Sequence, residues 1–180
     1  LEAEALYRRG LAIEGRTEGP QSMAVVDALI DLALHLQGTG RGQEEEQLWR
    51  RALAISERQA GPASPKPAQL LAHLAELYVT LGRPADATAA LRRALALEEG
   101  RSGADSDEAL GYRERLAAVY VAGRDLASAE PLLRAVVANL EAGAGQEDRP
   151  VGGARGRARQ RELERQGLDE HRLEAFQAYE

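Results

Sequence analysis

The 180-residue sequence contains no cysteine. This absence excludes disulfides, thiolate catalysis and cysteine-ligated zinc together. Lysine is nearly absent as well, because Lys66 is the only one and arginine carries the remaining positive charge. No run of 18 or more apolar residues occurs, so the sequence predicts no membrane-spanning helix. No charged-then-apolar leader stands at its start, and we expect a cytoplasmic protein.

The residues that usually carry chemistry are equally scarce. The three histidines, His35, His73 and His171, are too scattered to form a zinc site. The glycine-rich segment 152–156 lacks the preceding strand and the lysine of a phosphate-binding loop. No Gly-x-Ser-x-Gly nucleophile elbow is present either. We therefore expect no enzymatic activity, no cofactor and no metal.

The sequence does contain a repeat with a period of 42 residues. LYRRGLAI at 6–13 returns as LWRRALAI at 48–55, then as ALRRALAL at 90–97, and in a more diverged form at 132–138. Such a period is typical of stacked supersecondary units, which act mainly by presenting a surface to a partner. The composition is that of a packed chain, with 44% hydrophobic residues and a net charge of −6.

Each repeat shows two helical patterns. The first leading helix is predicted over 22–37, and the trailing helices over 44–58, 85–99 and 126–141. Glycine-containing turns follow the leading helices, where a left-handed residue can end a helix, and Pro84 suits the first position of the next helix. The apolar residues of the first leading helix recur at helical spacing: Val25, Val26, Leu29, Leu32, Ala33 and Leu36.

These positions resemble the tetratricopeptide repeat. The resemblance lies in Leu74-Ala75-x-x-Tyr78, Gly82, Ala87, Leu91 and Ala94, and again in Leu116-Ala117-x-x-Tyr120, Ala129, Leu133 and Val136. The longer period and the Gly-Pro-x-x-Pro loop at 61–65 are similar to the kinesin light chain variety. The resemblance implies an all-α, right-handed superhelical solenoid of antiparallel helix-turn-helix repeats.

We divide the chain into an array, a linker and a C-terminal helix. The array covers 1–142, as a half repeat at 1–18 and repeats at about 19–60, 61–102 and 103–142. Residues 143–156 form a Gly/Arg-rich linker. Residues 157–180 form a polar helix, which either caps the stack or folds into its groove as a regulatory segment.

The leading helices are expected to line the concave inner wall of the solenoid. This wall is mildly acidic with apolar gaps, which suits a peptide bearing basic and apolar side chains; the alternative is that its residues are solvated helix faces. His73 is either a pH-sensitive contact or a polar surface residue, and Trp49 is expected in the core. The candidate peptide-binding residues are Asp27, Ile30, Asp31, Leu34, Gln69, His73, Glu76, Glu114 and Arg115.

Two other partners are not expected. A chaperone carboxylate clamp needs converging donors, and only Arg115 and His73 could donate here. The arginines between 149 and 165 lack interleaved aromatic residues, so nucleic acid is not an expected partner. We therefore expect a protein-interaction scaffold that docks a peptide in its concave groove. The alternative is a spacer segment of a longer solenoid attached to an effector domain.

Overall fold

A computed structural model of the chain describes residues 2–61 and 63–147, with side chains described through residue 142. These residues form seven helices and no strand. The all-α repeat solenoid expected from the sequence is thereby confirmed. The helices are α1 (Glu2–Thr17), α2 (Met23–Leu36), α3 (Gly42–Gln59), α4 (Lys66–Thr80), α5 (Pro84–Ser102), α6 (Asp107–Ala122) and α7 (Leu126–Glu147).

The helices from α1 to α6 pack in chain order. Each helix from α1 to α5 contacts the next one along the chain, so leading helices (α2, α4, α6) alternate with trailing helices (α1, α3, α5). Residues 1–133 form one compact unit in this way, and a second unit begins at Arg134, within α7. Because the extensive helix contacts join neighbours in sequence, the stack grows one hairpin at a time.

The predicted apolar stripe of the leading helices forms the core. All six of the apolar residues expected in α2 are buried, and so are their equivalents Leu71, Leu74, Ala75 and Tyr78 in α4. In α6, Leu116 and Ala117 are buried, whereas Tyr120 is only partly covered. Helical spacing therefore selected the core face of each leading helix correctly.

Trp49 and Tyr7 occupy the same repeat position with different outcomes. Trp49 is 1% exposed and stacks on the His73 ring, with 4.6 Å between ring centroids. Its prediction as a core residue is confirmed. Tyr7 is 40% exposed, because α1 packs on α2 but has no leading helix of its own repeat among the described residues.

The turns that follow the leading helices explain where these helices end. Gly82 has φ of +69°, as expected for a left-handed residue just past α4. The equivalent expectation for Gly123 is wrong: it has φ of −81°, and Arg124 takes the left-handed conformation with φ of +60°. In both turns the left-handed residue follows the tyrosine of the leading helix by four positions: Gly82 follows Tyr78, and Arg124 follows Tyr120. The glycine of the third turn, Gly123, comes one position before this left-handed position.

The last described helix is longer than its sequence pattern predicts. α7 continues to Glu147, past the expected end at residue 141 and into the segment expected to be a linker. Alanine alternates with glycine over 142–145 and no proline occurs between residues 142 and 149, so this stretch can continue a helix. The rest of the expected linker and the expected C-terminal helix at 157–180 lie outside the described residues.

Candidate functional site

A largely apolar groove lies between the leading helices α4 and α6, with the trailing helix α5 at its floor. Its volume is about 530 Å³. We call it the leading-helix groove. It is lined by Ala72, Ala75, Glu76, Val79, Pro84, Leu91, Arg115, Ala118, Val119, Ala122 and Gly123.

Small side chains open this groove. Ala72 and Ala75 of α4 are nearly inaccessible and face Ala118 of α6, which is exposed. Alanine has no side-chain atoms beyond Cβ, so a bulky ligand side chain can approach the helix backbones closely. A concave site with an apolar lining and few polar groups is the usual form of a ligand site in proteins.

The two charged groups of the groove form an ion pair. Arg115 Nη1 of α6 donates to Glu76 Oε1 of α4 at 2.8 Å. On the other side of the carboxylate, His73 Nδ1 lies 3.7 Å from Glu76 Oε2. His73, and after it Arg115, lower the pKa of the Glu76 carboxyl, so the group is ionised at neutral pH.

A second ion pair joins the leading helices α2 and α4, one repeat earlier in the chain. Lys66 Nζ of α4 donates to Asp27 Oδ1 of α2 at 3.1 Å. This pair and the Glu76–Arg115 pair join residues 39 positions apart, so both connect the leading helices of adjacent repeats. The sequence interpretation described this wall as mildly acidic, and in the fold Asp27 and Glu76 are each paired with a cation.

The remaining candidate residues lie outside the lining of the groove. Asp31 and Gln69 are exposed, and Glu114 is partly buried. Leu34 is exposed, and Ile30 packs against the hydrophobic core. Of the nine candidate peptide-binding residues, Glu76 and Arg115 alone line the leading-helix groove, and His73 adjoins it through Glu76.

Sequence reasoning missed part of the apolar lining. Val79, Val119 and Ala122 line the groove, although none of them was a candidate. Val79 offered a signal, because its repeat equivalents are the polar Gln37 and the apolar Val121. Exposed apolar residues in two adjacent copies, at a position that is polar in the first copy, indicate a surface specialised in the later repeats.

Neither a metal cluster nor a bilayer-spanning segment is found in the described part of the chain. Its histidines, aspartates and glutamates form no group of three that could hold a metal ion. None of its helices combines the length and the hydropathy needed to cross a membrane.

Comparison with known proteins agrees with this geometry. Residues 24–100 match the family model of the tetratricopeptide repeat. No curated protein matches the chain in sequence. Tetratricopeptide repeats generally form scaffolds for protein–protein interaction, and residues 24–100 match this repeat.

Solved structures refine the comparison at the level of fold. BtubC (BKLC) from P. vanneervenii is similar, with a TM-score of 0.71 and 23% identity over 79% of this chain and 57% of that one. A Podosopora anserina chain described as a putative kinesin light chain with nearly identical TPR-like repeats gives a TM-score of 0.67. Its identity is 22%, over 83% of this chain and 68% of that one. A single-substitution variant of that protein has the same TM-score, with 23% identity over 77% of this chain and 65% of that one.

Residues 24–100 therefore match the tetratricopeptide repeat, and the fold of the chain is similar to the folds of kinesin light chain-like repeat proteins. The chain spans between 57% and 68% of the lengths of these relatives.

Proposed function

We propose that the chain docks a peptide segment of a partner protein in the leading-helix groove. The observation that carries this proposal is the groove itself: about 530 Å³, lined almost entirely by carbon, with one ion pair in its wall. An apolar anchor side chain of the partner fits its floor. Glu76 is about half exposed and has a lowered pKa, so it can accept from a basic side chain beside that anchor.

The expected affinity follows from the anchor. Burying one Leu- or Phe-sized side chain contributes about 1.5–3 kcal/mol, which corresponds to roughly a tenfold to hundredfold change in Kd. A single substitution that blocks the floor should therefore weaken binding by at least about tenfold. Val79 is the position of choice, because its side chain is 53% exposed and lines the groove.

Site-specific cross-linking tests the proposal. A photo-cross-linking amino acid at Val121, which is exposed on α6 beside the lining residue Ala122, should capture a partner segment in lysate of the source cells. The matched control carries the cross-linker at Leu97, exposed on α5 and outside the groove lining. Mass spectrometry of the adducts identifies the segment, which is then synthesised.

Binding of that synthetic segment decides the outcome. Val79→Arg should raise its Kd at least about tenfold, and Leu97→Arg should change it less than about twofold. Equal binding to wild type and Val79→Arg would refute the groove as the docking site, provided that circular dichroism shows both variants folded.

A second candidate function is a spacer segment of a longer solenoid, and the surface of α1 favours it. α1 has no buried residue, and Leu6, Tyr7 and Ile13 are all exposed. In this case, a neighbouring segment of the solenoid would pack on the exposed apolar surface of α1. Leu6→Arg, rather than Val79→Arg, would then abolish that contact.

A further inference from the structure

A line of neighbouring side chains connects the core of the second repeat to the leading-helix groove. The His73 ring of α4 stacks on the buried Trp49 indole of α3, with 4.6 Å between ring centroids and 7° between ring planes. At the ring edge, His73 Nδ1 lies 3.7 Å from Glu76 Oε2. The other oxygen of this carboxylate, Oε1, accepts from Arg115 at 2.8 Å. We call His73, Glu76 and Arg115 the groove triad.

One oxygen of the Glu76 carboxylate is open in this arrangement. Oε1 is taken by Arg115, whereas the 3.7 Å between Oε2 and the histidine nitrogen exceeds hydrogen-bond distance. The Glu76 side chain is about half exposed. Oε2 is therefore the oxygen that a basic side chain of a docked peptide would use.

The charge of His73 decides whether this oxygen stays open. Histidine is the side chain whose ordinary pKa, about 6.5, lies in the physiological range. Both nitrogens of a protonated ring are N–H donors, so the charged His73 donates from Nδ1 to Glu76 Oε2 after a movement of about 1 Å. The face of an indole attracts a cation, and the charged ring therefore keeps its place on Trp49.

The other charged groups around His73 are engaged elsewhere. On α3, Glu45 accepts from an indole N–H of its own helix. On α2, Asp27 is held by Lys66, and Asp31 forms no ion pair with the His73 ring. α5 contributes uncharged residues alone to the lining of the groove. Within the described part of the chain, the carboxylate that a protonated His73 can bind is thus that of the groove triad.

We propose that protonation of His73 weakens docking in the leading-helix groove, because the charged ring binds the Glu76 oxygen that a basic side chain of the partner would use. Such control by pH rests on the proposed docking function. Protonation also changes the groove triad from neutral to positively charged, which repels a basic ligand group. Glu76 itself stays ionised over this range, because His73, and after it Arg115, lower the pKa of its carboxyl.

Intrinsic fluorescence of the free chain tests whether His73 titrates beside the indole. Trp49 is the only tryptophan of the sequence, and a protonated imidazole in contact with an indole quenches its emission. The emission should therefore fall as the pH is lowered from 8 to 5. His73→Phe keeps a ring on the indole but cannot be protonated, so it should remove this fall. The matched control His35→Gln, at a second histidine that stacks near Tyr7 instead, should retain it.

Binding of a defined probe tests the consequence for docking. The probe is N-acetyl-leucyl-arginine amide, which carries an apolar anchor next to a basic side chain, and its neutral control has citrulline in place of arginine. Methyl NMR signals of Val79 and Val119, which line the groove, report binding. The arginine probe should bind the wild type roughly threefold more weakly at pH 5.5 than at pH 7.5. The citrulline probe on the wild type, and both probes on His73→Phe, should show no such difference.

Failure of the pH control and failure of docking give different results. If neither probe shifts the methyl signals at either pH, the groove does not dock this class of ligand and both proposals are wrong. If the arginine probe binds the wild type equally at both pH values, the groove docks the ligand but His73 does not control it. If the pH dependence persists in His73→Phe, another group titrates and the assignment to His73 is wrong. Circular dichroism at both pH values checks folding, and His73→Gln replaces His73→Phe if that variant does not fold.

Discussion

Substitution of Trp49 by phenylalanine tests the packing of the second repeat most directly. The Trp49 side chain is 1% exposed, and its indole N–H donates to Glu45 Oε1 at 3.2 Å. Glu45 is itself buried. Phenylalanine keeps an aromatic ring beside His73 but cannot donate, so the variant leaves a buried carboxylate without this hydrogen bond.

The expected cost follows from two contributions. Loss of a hydrogen bond to a charged group costs about 1.5–3 kcal/mol. The smaller ring removes a few buried carbon-sized groups at about 0.8 kcal/mol each, which adds about 1–2 kcal/mol. We therefore expect Trp49→Phe to lower the free energy of unfolding by about 3–5 kcal/mol, a large part of the roughly 5–15 kcal/mol typical of a domain.

Urea denaturation followed by circular dichroism at 222 nm measures this cost. The matched control is Tyr7→Phe, at the same repeat position but 40% exposed, which should change the unfolding free energy by less than about 0.5 kcal/mol. In a double-mutant cycle, Glu45→Ala should cost less in the Trp49→Phe background than in the wild type. A cost below about 1 kcal/mol for Trp49→Phe, or strict additivity in the cycle, would refute the reasoning.

Two further predictions concern the turns and the first helix. Arg124→Gly should raise the free energy of unfolding by about 1 kcal/mol, because a non-glycine residue at positive φ costs about 1–2 kcal/mol; an unchanged or lower urea midpoint would contradict this. Arg41, and after it Arg8, lower the pKa of Glu4, and the same arginines, Arg8 first, lower that of Glu44. Because these carboxyl pKa values are depressed in the folded state, their contribution is complete above the unfolded value of about 4.3 and is lost as the pH falls below it. The urea midpoint should therefore fall less between pH 6 and pH 3 in Arg8→Gln/Arg41→Gln than in the wild type, and equal slopes would exclude the cluster as a source of acid sensitivity.

The leading-helix groove was only partly predictable from the sequence. Its charged residues, Glu76 and Arg115, were found by helical spacing, because both lie off the core stripe of their helices. Helical spacing did not predict their ion pair, because the pair joins residues 39 positions apart and depends on how adjacent hairpins pack. Val79 was missed for a related reason: an exposed valine is recognised as part of a groove only when the facing helix is in place.

Glu45 shows the same limit within the core. Its repeat equivalents, Ala87 and Ala129, are both fully buried, as expected for small residues at a close helix crossing. A glutamate at this position of the repeat is expected from its size alone to loosen that crossing. In the structure Glu45 is buried and accepts from the Trp49 indole, an (i, i+4) contact within α3. A hydrogen bond between two unusual residues of one repeat cannot be read from positions compared across repeats.

The sequence by itself determined the elements of this protein and their order. Helix formation, helix ends and the core face depend on residues within a few positions of one another, and the 42-residue period repeats those local signals. Tertiary structure decided which equivalent positions are covered, as the contrast between Trp49 and Tyr7 shows. It also decided where cavities open, because the leading-helix groove is lined by residues of three helices, α4, α5 and α6. Burial and cavities are properties of neighbours in space, and a repeat fixes those neighbours only once its copies are stacked.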